Sequence, residues 1–212
     1  MKSHSHIGFW VTVFLVCLFV SPAFVSAGYA YKRLQDEVSD VQITFGQRVG
    51  GFLVSTANML HEAIAFTGAD SAVRKIVHTE DEKRKQKRYF GPVGTALAEV
   101  SDRYFESLRI QLYGVGLRAL LVMTWLLMLS PFIVAVAADG VLARQAKLSE
   151  LGQLNPTAFA LGSHVFIALL AFPVIYIAAP IQLPASTMWW WALASAVPAS
   201  FALSHTQPIF TR

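Results

Sequence analysis

Residues 117–138 read LRALLVMTWLLMLSPFIVAVAA, in which Arg118 is the one charged residue. A helix of about 20 predominantly apolar residues crosses the hydrocarbon core of a bilayer, so this run is long enough for a membrane span. Pro131 removes a backbone hydrogen bond inside the run, which predicts a kink in the helix. The stretch indicates a helical membrane protein.

The composition of the whole chain agrees with that interpretation. Of 212 residues, 55% are hydrophobic and 14% are charged, whereas soluble domains carry roughly 25% charged residues. The net charge of +4 is typical of membrane proteins, which keep Lys and Arg near cytoplasmic lipid. It does not by itself indicate nucleic-acid binding. Because Cys17 is the single cysteine, an intramolecular disulfide is excluded.

Charge is concentrated in one block of the sequence. Residues 31–118 hold 13 of the 17 Lys and Arg and 11 of the 13 Asp and Glu. The apolar runs on either side, 7–30 and 119–204, contain four charged residues: Asp139, Arg144, Lys147 and Glu150. The pattern predicts an all-α, multi-span helical membrane protein with an extramembrane helical segment, 31–112, inserted after the first span.

The inserted segment has the periodicity of amphipathic helices. Three- and four-residue spacing of apolar side chains predicts one continuous face through Leu34, Val38, Val41, Phe45, Val49 and Phe52. Gly68 and Asp70 look like a helix end and a new start. Gly91-Pro92 predicts the start of another helix, because Pro suits the first helical position. We expect that helix to continue into the 117–138 run.

Three further apolar runs complete the predicted plan. Residues 7–30 form an N-terminal span or a cleaved signal sequence, with Val25-Ser26-Ala27 as a possible cleavage site. A third span is predicted over 158–179, interrupted at Pro173. The fourth run, 188–203, is near the short limit for a span. The expected divisions are therefore 1–30, 31–112 and a membrane domain 113–212 with a short linker at 139–157.

The short linkers decide the predicted sidedness. Linker 139–157 carries Arg144 and Lys147, whereas the connection 181–187 has no basic residue. The positive-inside rule then places that linker and both termini in the cytoplasm, and residues 31–112 in the periplasm of a bacterial inner membrane. The reversed orientation stays open, because the long charged block exceeds the length over which the rule holds.

No residue set in the sequence amounts to an active site. The chain lacks a phosphate-binding loop and a nucleophile elbow, and His61-Glu62 has Ala65 where a zinc protease needs a second histidine. We therefore expect no enzyme activity, cofactor or metal. The basic run 83–88 could bind phosphates, but mixed charge around it favours a solvated surface. His164 is the most notable histidine, and a hydrogen-bonded structural role is preferred.

The second half resembles a family of membrane proteins of unknown function encoded on conjugative plasmids and integrating conjugative elements. The matching motifs are Ser130-Pro131-Phe132, Ala138-Asp139-Gly140-Val141-Leu142-Ala143-Arg144, Pro156-Thr157-Ala158-Phe159 and Ser163-His164. Members of that family carry an arginine-rich linker after the Asp-Gly pair, and here Arg144 and Lys147 remain. The resemblance implies a place in conjugative DNA transfer, beside a type IV secretion machine and its TraD-type coupling ATPase.

The resulting hypothesis is a non-enzymatic inner-membrane accessory subunit of a conjugative transfer system that docks a larger partner. Its interaction or structural positions are predicted to be Asp139, Gly140, Arg144, Phe159 and His164. Membrane lipid is the other expected contact, a homo-oligomer is possible, and direct nucleic-acid binding is not expected. A surface-exclusion protein that blocks redundant transfer is the alternative, followed by a small transporter.

Overall fold

The computed structural model describes residues 4–66, 80–149 and 155–206, and all regular secondary structure in those residues is helical. This confirms the predicted all-α class. In chain order the helices are α1 (His4–Phe19), α2 (Ser21–Phe24), α3 (Ala27–Phe66), α4 (Glu80–Ser149), α5 (Pro156–Leu170), α6 (Phe172–Ala178) and α7 (Thr187–Ser204).

Two stretches, Ala96–Ser149 and Pro156–Ala178, are long and apolar enough to cross a membrane. Their length and composition suit the second and third predicted spans. The apolar helical part of the first run, Gly8–Phe24, is shorter and is shared between α1 and α2. It ends because the chain leaves helical geometry at Val25, whose backbone is extended. Within the described residues, two such stretches thus stand where four apolar runs were expected.

The chain divides into two compact units. The first comprises Met1–Leu121 with Val174–Ala185, and the second comprises Val122–Pro173 with Ser186–Arg212. Helix α4 contributes residues to both, as does α6.

Helix α3 contains a sharp reversal at Gly46, where φ is 75° and ψ is 163°. That region of backbone space is open essentially to glycine alone. A methyl group built on Gly50 would lie 2.8 Å from the Cα of Gln42, although eight residues of straight helix would separate them by about 12 Å. The predicted continuous face 34–52 is therefore wrong. Beyond Gly46 the buried side belongs to Leu53 and Ala57, while Val49 and Phe52 are exposed.

The two arms of α3 lie against α4 in the first unit. Arg33, in the first arm, donates to Gln111, and Asn58, in the second arm, accepts from the hydroxyl of Tyr113 at 2.6 Å. Val41, Leu53 and Leu121 meet in one apolar cluster. Both arms thus reach the same stretch of α4, which makes the first unit a helical hairpin packed on a third helix.

Helix α4 is longer in both directions than the sequence predicts. It begins at Glu80 and continues through Gly91-Pro92 and Pro131, so Pro92 does not start the helix. Each of the two prolines removes one backbone hydrogen bond from a helix of 70 residues. At its other end α4 runs to Ser149, so most of the predicted linker 139–157 is helical. The predicted boundary at Gly68 and Asp70 lies outside the described residues.

The second unit is built on close approach of α7 to two other helices. A methyl group on Gly162 of α5 would lie 3.1 Å from the Ala202 nitrogen, and one on Gly140 of α4 would lie 2.7 Å from Leu203 Cβ. Glycines at such positions let helix backbones approach closely. Helix α5 begins at an ordinary cap, in which the Asn155 side chain accepts from the backbone of Thr157 at 3.0 Å. The break predicted at Pro173 occurs at Ala171.

Candidate interaction site

The end of α4 is fixed to the end of α7 by polar contacts. Asp139 accepts a hydrogen bond from the hydroxyl of Ser200 at 3.1 Å, one residue before the tight contact at Gly140. Farther along, Arg144 Nε donates to the carbonyl of Thr206 at 2.8 Å. Three of the five predicted positions, Asp139, Gly140 and Arg144, therefore lie together on the face of α4 that packs on α7.

Lys147 continues this face by one helical turn. Its Nζ lies 3.1 Å from His205 Nε2 and 3.4 Å from Ser204 Oγ. The last carbonyls of a helix carry partial negative charge, so Arg144 and Lys147 stand where cations stabilise the end of α7. Within the described residues, neither cation forms an ion pair with a carboxylate.

The opposite face of the same α4 segment is apolar and exposed. Leu142 is 63% exposed, and Val141 and Leu148 are 43% and 45% exposed. Since residues 141, 145 and 148 follow helical spacing, they form one stripe on the side away from α7. We call Val141, Leu142, Gln145 and Leu148 the α4 stripe. The periodicity is that of a helix with one packed face and a second face that is exposed and mostly apolar.

Phe159 and His164 are placed differently from the other predicted residues. Phe159 lines a cavity of about 420 Å³ in the second unit, between α4, α5 and α7. His164 is exposed, and its Nδ1 donates to the Ala160 carbonyl of its own helix at 2.6 Å. The structure thus brings Phe159 into a shared cavity and leaves His164 on the surface of α5.

A buried charged network in the first unit was not predicted. Arg118 is 2% exposed and Glu37 is 5% exposed. The two side chains pair in a bidentate arrangement, with Arg118 Nε 3.1 Å from Glu37 Oε2. Arg33 Nε lies 3.5 Å from the same carboxylate, and Arg33 Nη2 donates to Gln111 Oε1 at 2.7 Å.

The rest of the network satisfies the end of α6. Arg118 Nη1 donates to the carbonyls of Tyr176 at 2.9 Å and Ala179 at 2.6 Å, and Gln111 Nε2 donates to Ala178 at 2.9 Å. These carbonyls have no partner within a helix that ends at Ala178. Their partial negative charge offsets the second cation of a cluster that has two arginines and one carboxylate. Burial lowers the pKa of Arg33 from its ordinary value, and the charge of Glu37 opposes that effect.

A signal for this network is present in the sequence. On the first arm of α3 the buried positions are Ala30, Arg33, Glu37 and Val41, which follow three- and four-residue helical spacing. The two charges therefore occupy apolar-face positions at i and i+4, where they can pair. The predicted apolar face instead passed through Leu34 and Val38, one residue away from these two charges.

Comparison with known proteins adds the biological setting. A family profile described as IncC plasmid conjugative DNA transfer protein DtrJ-like matches residues 21–211. No curated protein and no solved structure is detectably similar to the chain. The match spans both units and includes the polar contacts at the end of α4 and the charged network. The chain therefore belongs to the DtrJ-like family of conjugative DNA transfer proteins.

Proposed function

We propose that this protein is a non-enzymatic inner-membrane accessory subunit of conjugative DNA transfer that docks a larger partner, such as a TraD-type coupling ATPase. Membership of a conjugative transfer family supports the process. The α4 stripe supports docking as the role, because it places exposed apolar side chains on a helix whose other face is already packed.

Asp139 and Arg144 have a positioning role in this proposal. Their bonds to Ser200 and Thr206 hold the end of α4 in one rotation about its axis. That rotation leaves Leu142 and Leu148 facing outward. Burial of an exposed leucine side chain by a partner can contribute about 2 kcal/mol to binding, which is roughly 30-fold in affinity.

The test compares two leucines of α4 with similar exposure. Leu142 is 63% exposed and Leu97 is 67% exposed, and both are changed to Glu in an otherwise intact element. We expect Leu142→Glu in the donor to lower transfer frequency and recovery of the coupling ATPase from gently solubilised membranes by at least about tenfold. Leu97→Glu should leave both near wild type. Immunoblots of the membrane fraction establish that the two variants accumulate equally.

Two results would oppose the proposal. The proposal would be ruled out if a donor that lacks the gene transferred DNA normally and if no secretion or coupling component co-purified with the wild-type protein. Relief of exclusion when the gene is deleted from the recipient would instead identify a surface-exclusion protein.

A further inference from the structure

The cavity in the second unit is almost entirely apolar. Its walls come from α4, α5 and α7, and include Phe132, Phe159, Phe166, Trp191, Ala199 and Leu203. A flexible hydrocarbon chain can fill an apolar cavity of about 420 Å³ between three helices. The charges beside the cavity indicate which molecule would carry that chain.

One end of the cavity, which we call its cationic end, lies next to two basic side chains that do not themselves line it. Thr206 lines the cavity, and its carbonyl accepts from Arg144. Lys147 lies beside His205, the residue before Thr206. Asp139 is the acidic side chain on the same face of α4, and it accepts from Ser200.

We propose that the cavity and its cationic end bind one anionic phospholipid of the bilayer, with an acyl chain between α4, α5 and α7 and the headgroup phosphate at Arg144 and Lys147. Basic side chains next to apolar helices attract anionic lipid by about 1 kcal/mol each. Two such residues predict a preference for anionic over zwitterionic lipid of about tenfold or more. The lipid would lie on the α7 side of α4, whereas the docking surface proposed above lies on the other side.

Native mass spectrometry of the full-length protein in detergent tests this directly. The probes are phosphatidylglycerol and phosphatidylcholine with identical acyl chains. Wild type should bind one phosphatidylglycerol about tenfold more tightly than phosphatidylcholine. Lys147→Gln should reduce that preference several-fold, and Ala199→Leu, which fills the cavity, should weaken both lipids. Lys85→Gln, at an exposed position of the basic run 83–88, should change neither.

A second measurement needs no variant. Trp191 lines the cavity, so phosphatidylglycerol brominated on its acyl chain should quench tryptophan emission at lower mole fraction than the brominated phosphatidylcholine does. Equal affinity for the two lipids in wild type, together with equal quenching, would overturn the proposal. The proposal would also be overturned if Ala199→Leu left lipid binding intact but removed a co-purifying protein. In that case the cavity would hold a protein partner and not a lipid. Leu142→Glu should retain lipid binding, so failure of the docking proposal would be seen separately.

Discussion

At the scale of single residues, the partners of Arg118 explain how a charge is accommodated at a nearly inaccessible position. The side chain is paired with Glu37 and donates to the carbonyls of Tyr176 and Ala179. Its guanidinium carbon also lies 5.6 Å from the ring centroid of Tyr176, within range of a cation–π contact. A buried ion pair contributes little net stability by itself, but removing one partner leaves the other desolvated and unpaired.

Arg118→Gln should therefore lower the free energy of unfolding by about 3–5 kcal/mol. Thermal unfolding in detergent, followed by intrinsic fluorescence, measures the effect. Arg48→Gln, at an exposed position, is the control and should change stability by less than about 0.5 kcal/mol. Adding Glu37→Gln to Arg118→Gln should cost less than the sum of the single changes, because no buried charge is left alone. Strict additivity would contradict the pairing.

Glycine packing gives a second prediction for single residues. A methyl group on Gly140 would meet Leu203 Cβ at 2.7 Å, whereas one on Gly51 has nothing within 4 Å. Gly140→Ala should therefore destabilise the protein by about 1–3 kcal/mol. Gly51→Ala, in a helix interior, should stabilise it by about 0.5–1 kcal/mol. The same unfolding measurement compares the two variants. Equal changes in stability would show that α4 and α7 can move apart enough to accept the methyl group.

At the scale of elements, periodicity predicted helical character in both parts of the charged block but not the path of the chain. Leu34, Val38 and Val41 continue in register to Phe52 in the sequence, so nothing in the apolar pattern marks the reversal. The decisive information is the backbone of one residue, Gly46, and glycine is also tolerated inside helices. Similarly, Gly91-Pro92 has the local preference of a helix start. The tertiary contacts that extend α4 beyond it are not visible in the local sequence.

One part of the candidate site was predicted from the sequence and another part was not, because only the first depends on spacing within a single helix. Asp139, Gly140 and Arg144 were found from a motif with helical spacing, and the structure places them on one face of α4. The network of Arg33, Glu37 and Arg118 joins residues up to 81 positions apart. Such pairing depends on how α3 lies against α4, which periodicity within one helix does not specify.

Replacing Gly46 should straighten α3. Gly46→Ala places a side chain in a conformation that costs on the order of 1–3 kcal/mol for residues other than glycine. Gln35 and Ser55 are both exposed, so each can be replaced by a spin-labelled cysteine to measure the distance between the two arms. A straight helix would separate their backbones by about 30 Å, and the hairpin holds them closer. Pulsed electron–electron double resonance should show a label-to-label distance near 30 Å in the variant and a shorter distance in wild type. An unchanged distance distribution would show that the turn does not depend on glycine.

At the scale of the whole molecule, the proposed sidedness can be tested with reporters inserted into the full-length chain. Ala96–Ser149 and Pro156–Ala178 are long and apolar enough to cross a membrane. Alkaline phosphatase inserted after Lys87 should be active, and the same enzyme inserted after Ser149 should be inactive, because it folds only outside the cytoplasm. Fluorescent protein at the two positions should give the reverse pattern. Exchanged activities would establish the opposite orientation and move the α4 stripe to the periplasm.

The charged network also sets an order of events during synthesis. Glu37 and Arg118 are 81 residues apart, so at roughly 5–20 residues per second the arginine is made about 4–16 s after the carboxylate. The carbonyls that complete the network follow later still, with α6. During that interval Arg33, one turn earlier in α3, is the cation within reach of the Glu37 carboxylate, and the bidentate partner and the carbonyl acceptors are still missing. Maturation of the first unit is therefore delayed until most of the polypeptide has left the ribosome.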